Sequence, residues 1–76
     1  MFKFLDVLKW KNPQNLAERE DVMIVEDTTG VYVEVRHLDE TGFLGVSNER
    51  MEDLRAVGTC TAYEPAEEIL KRYKNA

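Results

Sequence analysis

A chain of 76 residues has room for one domain and one hydrophobic core, and is only marginally stable alone. A hydrophobic share of 43% and a charged share of 33% belong to a folding sequence, and no apolar run nears the roughly 20 residues of a membrane span. The single cysteine, Cys60, excludes an intramolecular disulfide, and the net charge of −5 disfavours nucleic acid as a direct partner. The charge is uneven. Glu18 to Asp53 holds eleven acids against three bases, a net −8, whereas Lys3, Lys9 and Lys11 outweigh Asp6 in the first eleven residues. An acidic face of this kind is either a solvated surface or one that meets a basic protein.

Residues 1–20 read as helical. Met1, Phe4, Leu5 and Leu8 fall together at helical spacing over residues 3–10, with Val7 and Trp10 off that stripe. The segment is too charged and too short for a signal peptide, and its three lysines are few for a membrane-surface helix, so a cytoplasmic location is expected. Asn12-Pro13 reads as a new helix start, with residues 13–20 anchored by Leu16.

Residues 21–47 predict an antiparallel β-meander. Val22–Glu26 and Val31–Arg36 are rich in β-branched residues, Phe43–Val46 is a shorter third strand, and Asp27-Thr28-Thr29-Gly30 and Asp39-Glu40-Thr41-Gly42 repeat one turn pattern. Asp accepts hydrogen bonds from nearby amides, and Gly takes the left-handed conformation the turn needs. Counting across the first turn sets Ile24 opposite Val33 and Val22 opposite Val35. One face then carries Val22, Ile24, Val31, Val33, Val35, His37, Leu44 and Val46 as the core face. The other carries Met23, Val25, Tyr32, Glu34, Arg36, Leu38 and Phe43, a mixed face covered by the N-terminal helix or left open for binding.

Residues 48–57 read as a short helix with Met51 and Leu54 inward, ended by Gly58, and residues 59–63 as an edge strand. Residues 65–75 read as the closing helix. Pro65 opens it, Glu67 and Glu68 stand in the first turn and Lys71, Arg72 and Lys74 in the last, matching the helix dipole, with Glu67–Lys71 and Glu68–Arg72 as i,i+4 pairs. Ala66, Ile69, Leu70 and Tyr73 form its apolar stripe.

Catalytic chemistry has little to draw on. His37 and Cys60 are the only residues of their kinds, so a Cys–His dyad would need both to converge across the sheet, and a structural zinc set cannot be assembled. The four glycines are scattered among turns, a strand and a cap, and form no phosphate-binding loop. No catalytic residue, metal or cofactor is assigned. The expected architecture is one small α+β domain with a meander of three to four strands and a C-terminal helix on one sheet face. The expected function is that of a non-catalytic protein-binding module (an inhibitor, adaptor or accessory factor) working by surface complementarity. Tyr32 and Phe43 would be its anchors, Glu34 and Arg36 would fix orientation, and Asp39 and Glu40 would steer a basic partner. Two alternatives stand beside it: an acidic mimic of nucleic acid, and a homo-oligomer closed through the mixed face or the weak edge.

Overall fold

Four apolar residues in a row, Val22 to Val25, alternate to both sides of a strand, so such a run needs cover on both faces. The computed structural model, which describes residues 1–76, supplies it with a five-stranded antiparallel sheet. The elements are β1 (Asp6–Trp10), α1 (Leu16–Glu20), β2 (Val22–Thr29), β3 (Tyr32–Asp39), β4 (Gly42–Arg50), a 3₁₀ turn (Met51–Asp53), β5 (Leu54–Thr59) and α2 (Ala66–Tyr73). Their order across the sheet is β4-β3-β2-β1-β5. The meander therefore runs through β2, β3 and β4, while the chain's first and last strands pair on the far side of β2. The α+β class and the antiparallel sheet are as expected, but the strand count and several elements differ.

Residues 3–10 hold a strand, β1, in place of a helix. β1 lies between β2 and β5, so Val7 and Leu8 are both fully buried on opposite faces and no alternation marks the strand. The first helix is confined to Leu16–Glu20. Its N-cap is Asn15, whose Oδ1 accepts from Glu18 N at 2.9 Å, while Glu18 Oε1 accepts in return from Gln14 N at 2.9 Å. Leu16 is exposed rather than an anchor. Residues 48–57 are not a helix: β4 runs on to Arg50, one 3₁₀ turn follows, and β5 begins at Leu54. β5 ends at Thr59, so residues 60–63 leave the sheet. Gly58 is a strand residue, not a helix cap. It pairs with Val7, and a Cβ there would sit 2.6 Å from Tyr73 Cζ, so the missing side chain makes room for the α2 tyrosine.

The meander's register also departs from the expected one. Val22 faces Leu38, Ile24 faces Arg36 and Val25 faces Val35, and then a bulge at Glu26 shifts the count before Asp27 meets Glu34. One sheet face thus holds Val22, Ile24 and Leu38 together with Arg36, Glu34, Tyr32 and Phe43. The other holds Met23, Val25, Val33, Val35 and His37. The second turn behaves as the sequence implies: Gly42 has φ of 125°, and Asp39 Oδ1 accepts from Thr41 N at 2.8 Å. In the first, β2 runs on to Thr29 with Asp27 opposite Glu34, so the connection is Gly30-Val31, with Gly30 at φ 61°, and Asp27 is a strand residue rather than the turn-former.

Two cores follow from this arrangement. Helix α2 packs on the first face, where Ile69 and Leu70 meet Val7, Val22, Ile24, Leu38 and Cys60. The second face buries Leu8, Met23, Val25, Val33, Val35 and Leu54 with no helical residue among them. Phe2, Trp10 and Met51 pack against it instead. The 3₁₀ turn is tied down by Met51 N donating to Val31 O at 2.9 Å and Lys11 N to Asp53 O at 3.0 Å. The i,i+4 pair expected between Glu68 and Arg72 is replaced by one from Arg72 to Glu64 at 3.2 Å. No helix is long and apolar enough to cross a membrane.

Lys9 joins the layers. It is 2% exposed, and its Nζ donates to Arg19 O at 2.8 Å, Lys74 O at 2.6 Å and Tyr73 O at 3.3 Å. One ammonium thus spends its three donors on carbonyls at the C-terminal ends of both helices, where carbonyls lack helical partners. Burial, and to a lesser degree Arg55, hold its pKa below the ordinary lysine value.

Replacing Lys9 by Met keeps the stem but strands those carbonyls. The expected loss is about 1–3 kcal/mol in urea denaturation, with faster hydrogen exchange at the end of α2; unchanged stability would mean that water satisfies them equally well. Ile69→Asp places a carboxylate in the first core and is expected to abolish the cooperative thermal transition seen by circular dichroism.

Candidate functional site

β3 and β4 bring four of the six sequence-selected residues onto one surface. Tyr32, Glu34 and Arg36 alternate along β3 on the same face as Phe43 of β4, where Tyr32 lies opposite Arg50, Glu34 opposite Asn48, and Arg36 opposite Val46. The N-terminal segment does not cover this face, because it has become β1. Helix α2 covers Val7, Val22, Ile24 and Leu38 but not the two aromatic rings. Phe43 is left 52% exposed and Tyr32 43% exposed.

Each exposed ring is held beneath a guanidinium. Arg36 lies 4.7 Å from the Phe43 centroid and Arg50 lies 5.7 Å from that of Tyr32. Arg36 is fixed from below by Glu26, the bulge residue of β2, through an Nε–Oε1 ion pair. The bulge therefore places a carboxylate where a regular strand would have turned it elsewhere. Beside this pair, Phe4, Phe43, Ile24, Cys60 and Ile69 line a hollow of about 200 Å³ between the sheet and α2. Aromatic faces over an anchored arginine are the chemistry of a binding hot spot.

Asp39 and Glu40 stand apart, at the tip of the β3–β4 hairpin. The Thr41 hydroxyl and amide bonds hold the Asp39 carboxyl below its ordinary pKa, which makes it a turn-former first. Glu40 is exposed and lies 3.6 Å from Lys74 Nζ, on the α2 side. Cys60 lies just past β5 in the core under α2, whereas His37 lies on the opposite face of the sheet. The Cys60 thiol is buried, hydrogen-bonds to Leu5 O at 3.5 Å and is pushed up in pKa by burial, the reverse of an activated nucleophile.

On the other face lies a chain of polar groups that sequence reasoning missed. His37 Nδ1 is 3.0 Å from Asp21 Oδ1, and its Nε2 is 2.7 Å from Ser47 Oγ, which donates to Glu49 Oε2 at 2.8 Å. Trp10 Nε1 donates to Asp21 Oδ2 at 2.9 Å. The order carboxylate–imidazole–hydroxyl is that of an acyl-transfer relay. Here, however, the hydroxyl proton points to Glu49, away from the imidazole. The bonds are all satisfied together when the ring carries both protons, one donated to Asp21 and one to Ser47. A charged imidazole between two carboxylates is the result, and its pKa is raised, chiefly by the Asp21 hydrogen bond. Asp21 and His37 are sixteen positions apart and share no motif, so only the folded register reveals them. No three His, Cys, Asp or Glu side chains are gathered to hold a metal ion.

The chain matches no protein-family model, and comparison with curated proteins and with solved structures likewise found no match.

The pH dependence follows from the raised His37 pKa. The charged ring stabilises the fold fully below the unfolded value near 6.5, and that stabilisation is lost as pH rises through the higher folded value. Urea denaturation is expected to show wild type losing stability relative to His37→Gln between neutral and mildly alkaline pH. A constant difference would mean that His37 binds no extra proton on folding.

Proposed function

We propose that this chain is a non-catalytic protein-binding module whose binding surface is the open β3–β4 face. The observation that carries the reading is that Phe43 and Tyr32 remain exposed on a rigid sheet, each beneath an arginine. Small domains ordinarily bury large aromatics, and an exposed pair with preset guanidinium partners loses little side-chain freedom on docking. Val46 and Asn48 continue the surface, and Glu34 supplies an acceptor beside it. Asp39 and Glu40, outside the face, act at longer range by drawing in a basic partner, as the net charge of −5 favours. A single buried thiol suits the reducing cytoplasm as its place of work.

Two other uses of the same surface predict different behaviour. A homo-oligomer would close this face, or the apolar edge of β4, against a second copy. A nucleic-acid mimic would bind through the carboxylates, and DNA would compete with it.

The deciding experiment is affinity capture from the source lysate with wild type and with Phe43→Asp, whose side chain is exposed and whose fold is checked by circular dichroism. A prey retained by wild type and lost by at least about tenfold from the variant is the expected result. Equal retention by both removes the β3–β4 face as the site. Recovery of the chain alone, with a doubled mass in light scattering, replaces the heteromeric reading by self-association.

A further inference from the structure

The polar chain on the His37 face sets a hydroxyl between two bases, a feature the aromatic face does not use. Ser47 Oγ lies 2.7 Å from His37 Nε2 on one side and 2.8 Å from Glu49 Oε2 on the other. Behind the ring, Asp21 Oδ1 and Oδ2 lie 3.0 Å and 3.1 Å from His37 Nδ1. Asp21 is held in turn by Trp10 Nε1 and by its own amide, which donates to Glu18 O at 3.2 Å at the end of α1. The imidazole is therefore oriented from behind, with Nε2 aimed at the hydroxyl. The His37 and Asp21 side chains are 20% and 18% exposed, so the relay is shielded without being sealed.

While the ring is charged, Nε2 donates to Ser47 and the hydroxyl proton goes to Glu49. When the ring gives up one proton, Asp21 keeps the other on Nδ1, because a carboxylate accepts only from a protonated nitrogen. Nε2 then presents a lone pair to Ser47 Oγ, and the hydroxyl rotates from Glu49 to the ring. That is the arrangement in which an imidazole takes a serine proton. The charged groups about the ring are Asp21 and Glu18 from the α1 side and Glu49 from β4, while β1 and β2 present the uncharged Trp10 and Met23. All three are carboxylates and favour the charged ring, so its neutral form gains ground only above the ordinary histidine range. A cleft of about 460 Å³ opens at the ring, walled by Trp10, Ala17 and Leu44. Gly45, opposite His37 and two positions before Ser47, has no side chain, and a Cβ there would meet nothing within 4 Å. The way from the cleft to Ser47 crosses that open space.

We propose that Ser47 is an acylation site, with His37 as its base and Asp21 positioning His37, and that it takes the acyl group of an activated ester or thioester. The apolar part of the donor rests in the cleft against Trp10 and Leu44. Ser47 Oγ attacks the carbonyl carbon as its proton passes to His37 Nε2. The Oγ–C bond forms, the bond from that carbon to the leaving oxygen or sulfur breaks, and the leaving group departs with the electron pair as an aryloxide or thiolate. The imidazolium returns its proton to solvent. One ester on the chain is the product, a modification and not a turnover. It lies on the face opposite the aromatic row and does not rest on the binding reading.

The test incubates the folded chain with p-nitrophenyl acetate over a series of pH values, follows p-nitrophenolate by absorbance and locates the acetyl group by peptide mass spectrometry. Wild type is expected to gain one acetyl group at Ser47, at a rate that rises as His37 loses its proton and then levels off. Ser47→Ala is expected to lose that adduct, and His37→Gln to slow its formation by about a hundredfold at mildly alkaline pH. Glu49→Gln, which removes the competing carboxylate, is expected to speed it at neutral pH. Circular dichroism verifies each fold. No acetyl group on Ser47 of wild type, or its arrival at the wild-type rate in His37→Gln, would overturn the proposal. A wild-type rate at Ser47 that stays flat across the His37 titration would overturn it without recourse to variants. A loss in Glu49→Gln as large as in His37→Gln would make the carboxylate the base and overturn the role given to His37.

Discussion

An ammonium group withdrawn from water is costly unless every donor is met, and Lys9 meets all three on main-chain carbonyls. That constraint organises much of the molecule. The amine can reach α1 and α2 together only if β1 lies in the sheet with Lys9 on the α2 side, and only if both helices end at the same place. Ser or Thr could not span the distance, and a carboxylate would repel the carbonyls. The helices make little contact of their own with the second core, so one side chain from a central strand fixes the ends of both. The depressed pKa of Lys9 is the thermodynamic mark of that burial. The carbonyls, the neighbouring Asp21 and the neighbouring Glu20 hold the charge against a desolvation that opposes it.

The sheet carries a second constraint, which is parity. In a strand, one inserted residue exchanges the two faces, so the bulges at Glu26 in β2 and Leu44 in β4 decide what each surface contains. The first bulge moves Val33 and Val35 away from Val22 and Ile24 and sets Arg36 over Glu26. The second puts Phe43 and Val46, three positions apart, on one face with Arg36. Without them the aromatic row would have different members.

What could be read from the sequence was local. The two Asp-x-Thr-Gly turns, the β-branched strands between them and the charge order of α2 are short-range signals, and they mark the meander and the last helix close to their true positions. β1 was illegible because a strand buried on both faces shows no alternation, and its few residues fit a helical stripe equally well. The 48–57 segment misled for a related reason: Met51 and Leu54 have helical spacing, yet one belongs to a 3₁₀ turn and the other to β5. Of the candidate site, Tyr32, Glu34, Arg36 and Phe43 were found together because even spacing along β3 survives a register error. The cover on that face was not legible, since it depended on β1. Asp21, His37, Ser47 and Glu49 meet only through the register of three strands, and no single stretch announces them.

The pairing of Asp6 with Thr59 has a kinetic meaning as well. The turns of the meander close between near neighbours, at small loop-entropy cost, whereas β1 must find β5 across almost the whole chain. By that measure β1 joins β2 early, since Val7 and Ile24 are close in sequence, and assembly finishes when β5 pairs with β1. Until it does, the second core lacks Leu54 and the β1 edge stands bare. The interval before this final closure is when the chain is most prone to pair with the wrong strand.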